Sequence, residues 1–219
     1  MTNLAVWETY RMVPFETISL FFMTSLALAL VPGPDNIFVL TQSAVHGRKA
    51  GILVTIGLCS GILVHTIAAS LGIAVIFQTS ALAFNILKIV GVIYLLYLAW
   101  QAFHTARADI HGTENANVNL QSLYYRGVIM NITNPKVTIF FLAFLPQFVD
   151  PSTGSIVTQM VILGGVFVLA TLIIFCSIAW SSGFLGEQLQ RSPQIRVVIN
   201  RLAGTIFMAL ALKLSMSER

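Results

Sequence analysis

The sequence contains few charged residues. Only 9% of its 219 residues are Asp, Glu, Lys or Arg, whereas 57% are hydrophobic. Soluble domains have about 25% charged residues, so this chain could not cover a surface that faces water. We therefore predict an integral membrane protein.

Cysteine and clustered histidine are also scarce, which argues against several activities. The two cysteines, Cys59 and Cys176, lie in different apolar stretches, without a CxxC motif or a Cys/His spacing typical of zinc sites. The sequence offers no nucleophile with a neighbouring base, so we predict neither an enzyme nor a bound cofactor. His104 and His111 do not form the His-rich loop expected of a metal-ion exporter. Metal-ion export, or a non-transport membrane protein of similar helix count, stays the alternative function.

The net charge of +4 is better explained by membrane orientation than by nucleic-acid binding.

Six apolar stretches approach or exceed the roughly 20 residues that cross a bilayer as a helix. They lack the alternating pattern of membrane barrel strands, so we expect helices. The first stretch continues well past a signal-peptide-like site at Ala27-Leu28-Ala29, which favours a span over a cleaved leader. The six stretches are residues 15–42, 50–77, 81–103, 125–149, 156–185 and 197–214.

The basic residues predict the orientation in the membrane, because cytoplasmic loops are enriched in Lys and Arg. The loops and span edges after spans one, three and five hold Arg48, Lys49, Arg107, Arg126, Arg191, Arg196 and Arg201. The opposite side holds Arg11, Lys213 and Arg219, with Lys88 inside span three nearer that face. We therefore expect both termini on the non-cytoplasmic side.

A polar connection at residues 104–124 divides the chain into two halves, 1–103 and 125–219, of three spans each. Because three is odd, two similar halves would lie in opposite orientations, which is the inverted-repeat plan of many transporters. Both halves interrupt their first span, with VPGPDN at 31–36 and NITNPK at 131–136. The sequence thus predicts an all-α protein with six spans in a 3+3 inverted repeat, in which spans one and four are broken.

The residues expected to break the two helices are Pro32, Gly33, Pro34 and Pro135. A break within hydrocarbon is tolerated only where it lines protein or a water-filled cavity. Each break starts a new half-helix, whose free backbone N–H groups attract anions. Asp35 and Lys136 occupy equivalent first turns, and a charge in the middle of a membrane needs a partner.

Two interpretations of this charge arrangement stay open. Asp35 and Lys136 could form a structural ion pair that locks the halves together. Alternatively, they could bind a zwitterion, with its carboxylate at Lys136 and the half-helix N-termini and its ammonium at Asp35. His65, in span two, is a packing residue or the next candidate after Asp35 for a proton relay. Uncharged hydrogen bonds to the substrate would come from Asn36, Asn131, Asn134, Gln42 and Gln147.

The same motifs resemble a known family. VPGPDNIFVLTQSAVHGRKAGILVTIGLCSGILVH resembles the N-terminal signature of the LysE/RhtB family of amino-acid exporters, and NPKVTIFFLAFLPQFVD and GVIYLLYLAWQAF are similar to later segments. The family's first motif falls on residues 32–36 and its second on residues 134–136.

This resemblance extends from about residue 12 to the C-terminus, which leaves either Met1 or Met12 as the start. It implies six helices in the bacterial inner membrane. It also implies efflux of amino acids or close derivatives (like homoserine, threonine, leucine or lysine), driven by the proton motive force. It does not distinguish among these substrates, and it leaves a homo-oligomer open.

Overall fold

A computed structural model describes residues 13–79, 81–104, 119–191 and 193–216. Within these ranges the chain forms eight helices and no strand. They are α1 Phe15–Leu30, α2 Pro34–His46, α3 Arg48–Thr79, α4 Ala81–His104, α5 Leu120–Ile132, α6 Pro135–Phe148, α7 Ile156–Arg191 and α8 Pro193–Ser215. Both candidate starts, Met1 and Met12, and residues 105–118 of the predicted linker lie outside the described residues.

Both predicted breaks are present. The chain bends by 63° between α1 and α2 and by 49° between α5 and α6. Three helices are long and apolar enough to cross a membrane, within α3, α4 and α7, and the described residues provide five such spans if each bent pair counts as one. The sixth predicted stretch lies within α8, Pro193–Ser215, which is not among the spans found in the described part of the chain. A membrane protein built of helices is therefore confirmed, and the count of six spans stays a prediction.

The helices pack around α3 and α7, which contact each other and which both contact α2. α5 packs along α3, α1 packs along α7, and α4 pairs with α8. Aromatic side chains join the two broken segments, since Phe21 of α1 lies 5.8 Å from Phe140 and 5.0 Å from Phe148 of α6, measured between ring centroids. The outer surface is apolar, as a surface that faces lipid requires: Leu71 and Ile93 are 61% and 62% exposed.

Glycines allow α3 and α5 to approach closely. A Cβ added to Gly127 would lie 2.6 Å from the carbonyl oxygen of Val54, and one added to Gly61 would lie 2.6 Å from the Cβ of Asn131. Gly57, the other small residue of the GxxxG pattern in α3, meets the backbone of Tyr124. Small residues at such positions let helix backbones pack closely in membranes. This contact places Asn131, at the last turn of α5, against α3.

The second half of α6 departs from α-helical geometry. Pro135–Ile139 is α-helical, Phe140–Phe144 forms a π-helical turn, and Leu145–Phe148 forms a 3-10 turn. Pro146 explains the change, because it has no N–H to donate and its ring clashes with the carbonyl four residues earlier in an α-helix. The break at Pro135 was predicted from the sequence, whereas this second irregularity was not.

Candidate functional site

The two breaks meet inside the protein through a side-chain hydrogen bond. The Nδ2 of Asn134, in the second break, donates to the Oδ2 of Asp35, in the first, at 2.8 Å. Asp35, Asn134 and Lys136 are only 2%, 5% and 8% exposed. The structure therefore brings the two motifs together in the interior, although they lie about a hundred residues apart in the sequence.

The two half-helices start differently. Asn134 is the N-cap of α6, and its Oδ1 accepts a hydrogen bond from the backbone N–H of Lys136 at 3.0 Å, with Pro135 at the first helical position. This is the arrangement that the Asn-Pro sequence predicts. At the start of α2, Gly33 has an extended backbone (φ −157°, ψ 179°) and no side chain with which to cap. The first turn of α2 therefore has backbone N–H groups without a side-chain cap.

Lys136 is held by backbone carbonyl groups of α1 rather than by Asp35. Its Nζ donates to the carbonyl oxygen of Leu28 at 3.4 Å and to that of Val31 at 3.2 Å. The side chains of Lys136 and Asp35 are both described, and their charged atoms do not approach within 4.0 Å of each other as an ion pair. The carbonyls at a helix C-terminus carry partial negative charge and attract cations. The sequence suggested a carboxylate or a bound anion as the partner of Lys136, and these carbonyl groups were not predicted.

Asn36, like Lys136, donates a hydrogen bond to a backbone carbonyl group at the end of α1. The Nδ2 of Asn36 donates to the carbonyl oxygen of Ala29 at 2.7 Å, and the backbone N–H of Val31 donates to that of Ala27 at 3.2 Å. Because the last carbonyls of a helix have no partner within it and no water reaches them in hydrocarbon, such bonds are needed at a break.

The last carbonyl groups of α5 receive more of their hydrogen bonds from the residue that directly follows the helix. Thr133 donates to the carbonyl oxygen of Ile129 through both its hydroxyl (2.8 Å) and its backbone N–H (2.9 Å). The Nε2 of His65 lies 3.1 Å from the carbonyl oxygen of Asn131. His65 also stacks on Phe141, with ring centroids 5.8 Å apart. These contacts agree with a packing role for His65, and its role in a proton relay stays a prediction.

Four buried oxygen atoms in the described part of the chain have no hydrogen-bond partner. They are Asp35 Oδ1, Asn36 Oδ1, Gln42 Oε1 and Asn131 Oδ1. A buried acceptor without a donor costs about 1–3 kcal/mol. All four belong to predicted site residues, and each could accept a hydrogen bond from a donor of a bound ligand, such as an ammonium group beside Asp35.

The two predicted glutamines lie farther along their helices. Gln42 is buried in α2, and at 1.5 Å per residue it lies about 10 Å along the axis from Asp35. Gln147 lies in the 3-10 turn at the far end of α6, and its Nε2 donates to the carbonyl oxygen of Ala143 at 3.3 Å. The structure thus concentrates Asp35, Asn36, Asn134 and Lys136 at the breaks and places Gln147 away from them.

The chain is similar to a family of translocators and to known efflux proteins. The family model described as LysE type translocator matches residues 26–218. A homoserine/homoserine lactone efflux protein of Salmonella typhimurium is 30% identical over 195 residues, which cover 89% of this chain and 93% of that protein. A leucine efflux protein of Enterobacter sp. (strain 638) is 30% identical over 193 residues, which cover 86% and 90%. No solved structure matches the chain.

Proposed function

This chain belongs to the LysE type translocators, which makes it a transporter and not an enzyme, and we propose that it exports an amino acid or a close derivative across the bacterial inner membrane. The observation that carries the proposal is the buried contact between the two helix breaks. Asp35 and Lys136 approach Asn134 there without pairing with each other. The free oxygen of Asp35 is available to an ammonium group, and the uncapped start of α2 is available to a carboxylate.

The distribution of acidic residues favours a substrate with an uncharged side chain. Among the residues whose burial is described, Asp35 is the one buried acid. A substrate like homoserine, threonine or leucine has one ammonium group, which Asp35 can neutralise. A substrate like lysine brings a second ammonium group, and a buried cation without a carboxylate is costly. We therefore rank neutral amino acids above lysine.

Export by alternating access would follow from a 3+3 inverted repeat of six spans, with both termini outside the cytoplasm. Part of the helix packing supports this arrangement: α1 packs along α7 as α5 packs along α3, and α3 pairs with α7 and α4 with α8. Exchange of the two halves would preserve these pairings, whereas α2 packs more extensively on α3 and α7 than its counterpart α6 does. Rocking of one half against the other around the breaks would then expose the site to each side in turn.

The proposed coupling uses Asp35 as the group that takes up a proton. A proton that enters from outside would neutralise the carboxylate, weaken its attraction for the ammonium group and release the substrate outward. Asp35→Asn tests this step, because it keeps the shape of the side chain and removes the charge. In proteoliposomes loaded with substrate, the variant is expected to lose uphill transport and the dependence of transport on a pH gradient. Proton-coupled uphill transport by Asp35→Asn would refute the role.

A growth-resistance screen tests the function itself. Bacteria that overexpress the chain are challenged with toxic concentrations of individual amino acids, amino-acid analogues and divalent metals. We expect protection against one class of neutral amino acids, lost in Lys136→Ala and retained in Lys49→Ala, which removes an exposed lysine at the start of α3. Protection against metals alone would refute amino-acid export and favour a metal-ion exporter.

A further inference from the structure

The ammonium group of Lys136 lies where a free cation could bind. Two carbonyl oxygens from the end of α1, those of Leu28 and Val31, are 3.4 Å and 3.2 Å from its Nζ. In transporters with broken helices, carbonyl groups of the unwound backbone and of half-helix C-termini are the groups that coordinate coupling cations. In this chain the corresponding position is filled by a side chain of the opposite half.

The surroundings are shaped for that ammonium group. A Cβ added to Gly33 would lie 3.2 Å from the Nζ of Lys136, so a side chain at this position would crowd the ammonium group. The φ of Gly33 is extended, a conformation that any residue adopts, so backbone strain does not require glycine there. Lys136 is also 8% exposed, which separates its charge from bulk water.

The opposite half provides a contrast. The end of α5 is capped by Thr133, the residue that follows it, through two hydrogen bonds to the carbonyl oxygen of Ile129. The end of α1 lacks such a residue: Val31 caps it with a backbone N–H alone, and Asn36 and Lys136 supply the other donors. His65 of the first half lies 3.1 Å from the carbonyl oxygen of Asn131 at the end of α5, so of these two helix ends the end of α1 is the one that receives a lysine ammonium group.

We propose that the carbonyl groups of Leu28 and Val31 form a site for a monovalent cation, which Lys136 occupies permanently with its own ammonium group. The side chain takes the place of a dissociable ion, so this site imposes no requirement for Na⁺ or K⁺. Removing the side chain is expected to turn it into a binding site for small cations, organic ammonium ions in particular. This inference concerns the cation at the break and does not depend on which substrate is exported.

Chemical rescue of Lys136→Ala tests the proposal. The substitution removes three methylene groups and the ammonium group, and n-propylammonium contains the same atoms. Apparent Tm of the purified variant in detergent is measured against the concentration of n-propylammonium, methylammonium, ammonium, Na⁺ and K⁺. We expect a saturable rise of about 3 °C or more with at least one of these cations, because a ligand that binds only the folded state stabilises it. The unsubstituted protein is expected not to respond.

Controls separate cation binding from cavity filling. n-Propanol has the same chain without the charge, and tetramethylammonium has the charge without N–H donors, so neither is expected to raise Tm. Lys136→Gln is the second variant, in case Lys136→Ala does not fold: its shorter amide retains a donor for the carbonyls and leaves room for a small ion. A rise in the Tm of Lys136→Gln with NH₄⁺, Na⁺ or K⁺ would support the site. The absence of a cation response in both variants, or an equal response to n-propanol, would overturn the proposal. Since no transport is measured, its failure would be distinct from failure of the proposed export.

Discussion

Asn134 makes two side-chain hydrogen bonds that substitutions can separate. Its Oδ1 caps α6 by accepting from the backbone N–H of Lys136 at 3.0 Å, and its Nδ2 donates to the Oδ2 of Asp35 at 2.8 Å. Asn134→Ala removes both bonds. Asn134→Ser keeps an oxygen that can cap the helix and removes the amide donor. The comparison therefore isolates the bond that joins the two breaks.

The expected magnitudes follow from these two bonds. Replacing an N-cap by Ala costs about 1 kcal/mol. Hydrogen bonds between membrane helices reach about 1.7 kcal/mol, and bonds to charged groups contribute about 1.5–3 kcal/mol, so the two ranges meet near about 1.5 kcal/mol. We expect the free energy of unfolding to fall by about 2.5 kcal/mol in Asn134→Ala and by about 1.5 kcal/mol in Asn134→Ser. These values correspond to apparent Tm decreases of about 5–10 °C and about 3–6 °C.

Thermal unfolding in detergent measures both variants against a matched control. Asn119 caps α5 with the same kind of bond, to the backbone N–H of Gln121 at 3.0 Å, but at an exposed helix start outside the site. Asn119→Ala should lower apparent Tm by about 4 °C at most and leave export unchanged, whereas both Asn134 variants should reduce export. If Asn134→Ala were no more destabilising than Asn119→Ala, the reasoning about the Asp35 bond would be refuted. If Asn134→Ser were as destabilising as Asn134→Ala, the contribution assigned to the cap would be wrong.

Two further predictions concern packing and a loop outside the spans. Gly127→Ala places a Cβ 2.6 Å from the Val54 carbonyl oxygen and is expected to destabilise by about 1–3 kcal/mol. The Cβ of Gly165→Ala meets nothing within 4 Å, so that variant should gain up to about 1 kcal/mol, and equal apparent Tm values would contradict the close helix contact. In the loop before α7, the hydroxyl (2.6 Å) and backbone N–H (2.8 Å) of Ser152 donate to Asp150 Oδ1 and lower the pKa of Asp150 below its usual 3.8. A lowered pKa in the folded state stabilises the protein above about pH 4, and this contribution is lost as the pH falls through the folded value. Ser152→Ala should therefore raise the pKa of Asp150, measured by carboxyl ¹³C NMR, and an unchanged pKa would show that the hydroxyl bond has no effect.

Much of the fold was predictable because it depends on neighbouring residues. The length of an apolar stretch, the Pro-Gly-Pro sequence before Asp35 and the Asn134-Pro135 pair each act over a few positions, and both breaks and the cap of α6 are where these signals place them. The GxxxG pattern of Gly57 and Gly61, which contact α5, is likewise a local signal for close helix packing. The change of helix type in α6 also has a local cause, Pro146. This proline is visible in the sequence, but it lies within an apolar stretch that was predicted as a single span with one break.

The proximity of the two breaks was predictable from the sequence, the hydrogen bonds between them were not, and the role of these residues in binding a substrate stays a prediction. Asp35, Asn134 and Lys136 were expected to lie together, and they do. Two opposite charges in equivalent turns also suggested a direct ion pair, yet Asp35 bonds to an amide and Lys136 to carbonyl groups. The count of six spans stays a prediction, because the described residues provide up to five.

The sequence by itself determined that the chain is helical, enters a membrane and interrupts two helices beside buried charges, since apolar length, proline and helix caps act locally. Only the tertiary structure decided which groups accept hydrogen bonds from the ammonium group of Lys136. Its partners are backbone carbonyls 105 and 108 residues away, and every residue carries a carbonyl whatever its side chain. Which of them are left unpaired is determined by where α1 ends and what packs against that end.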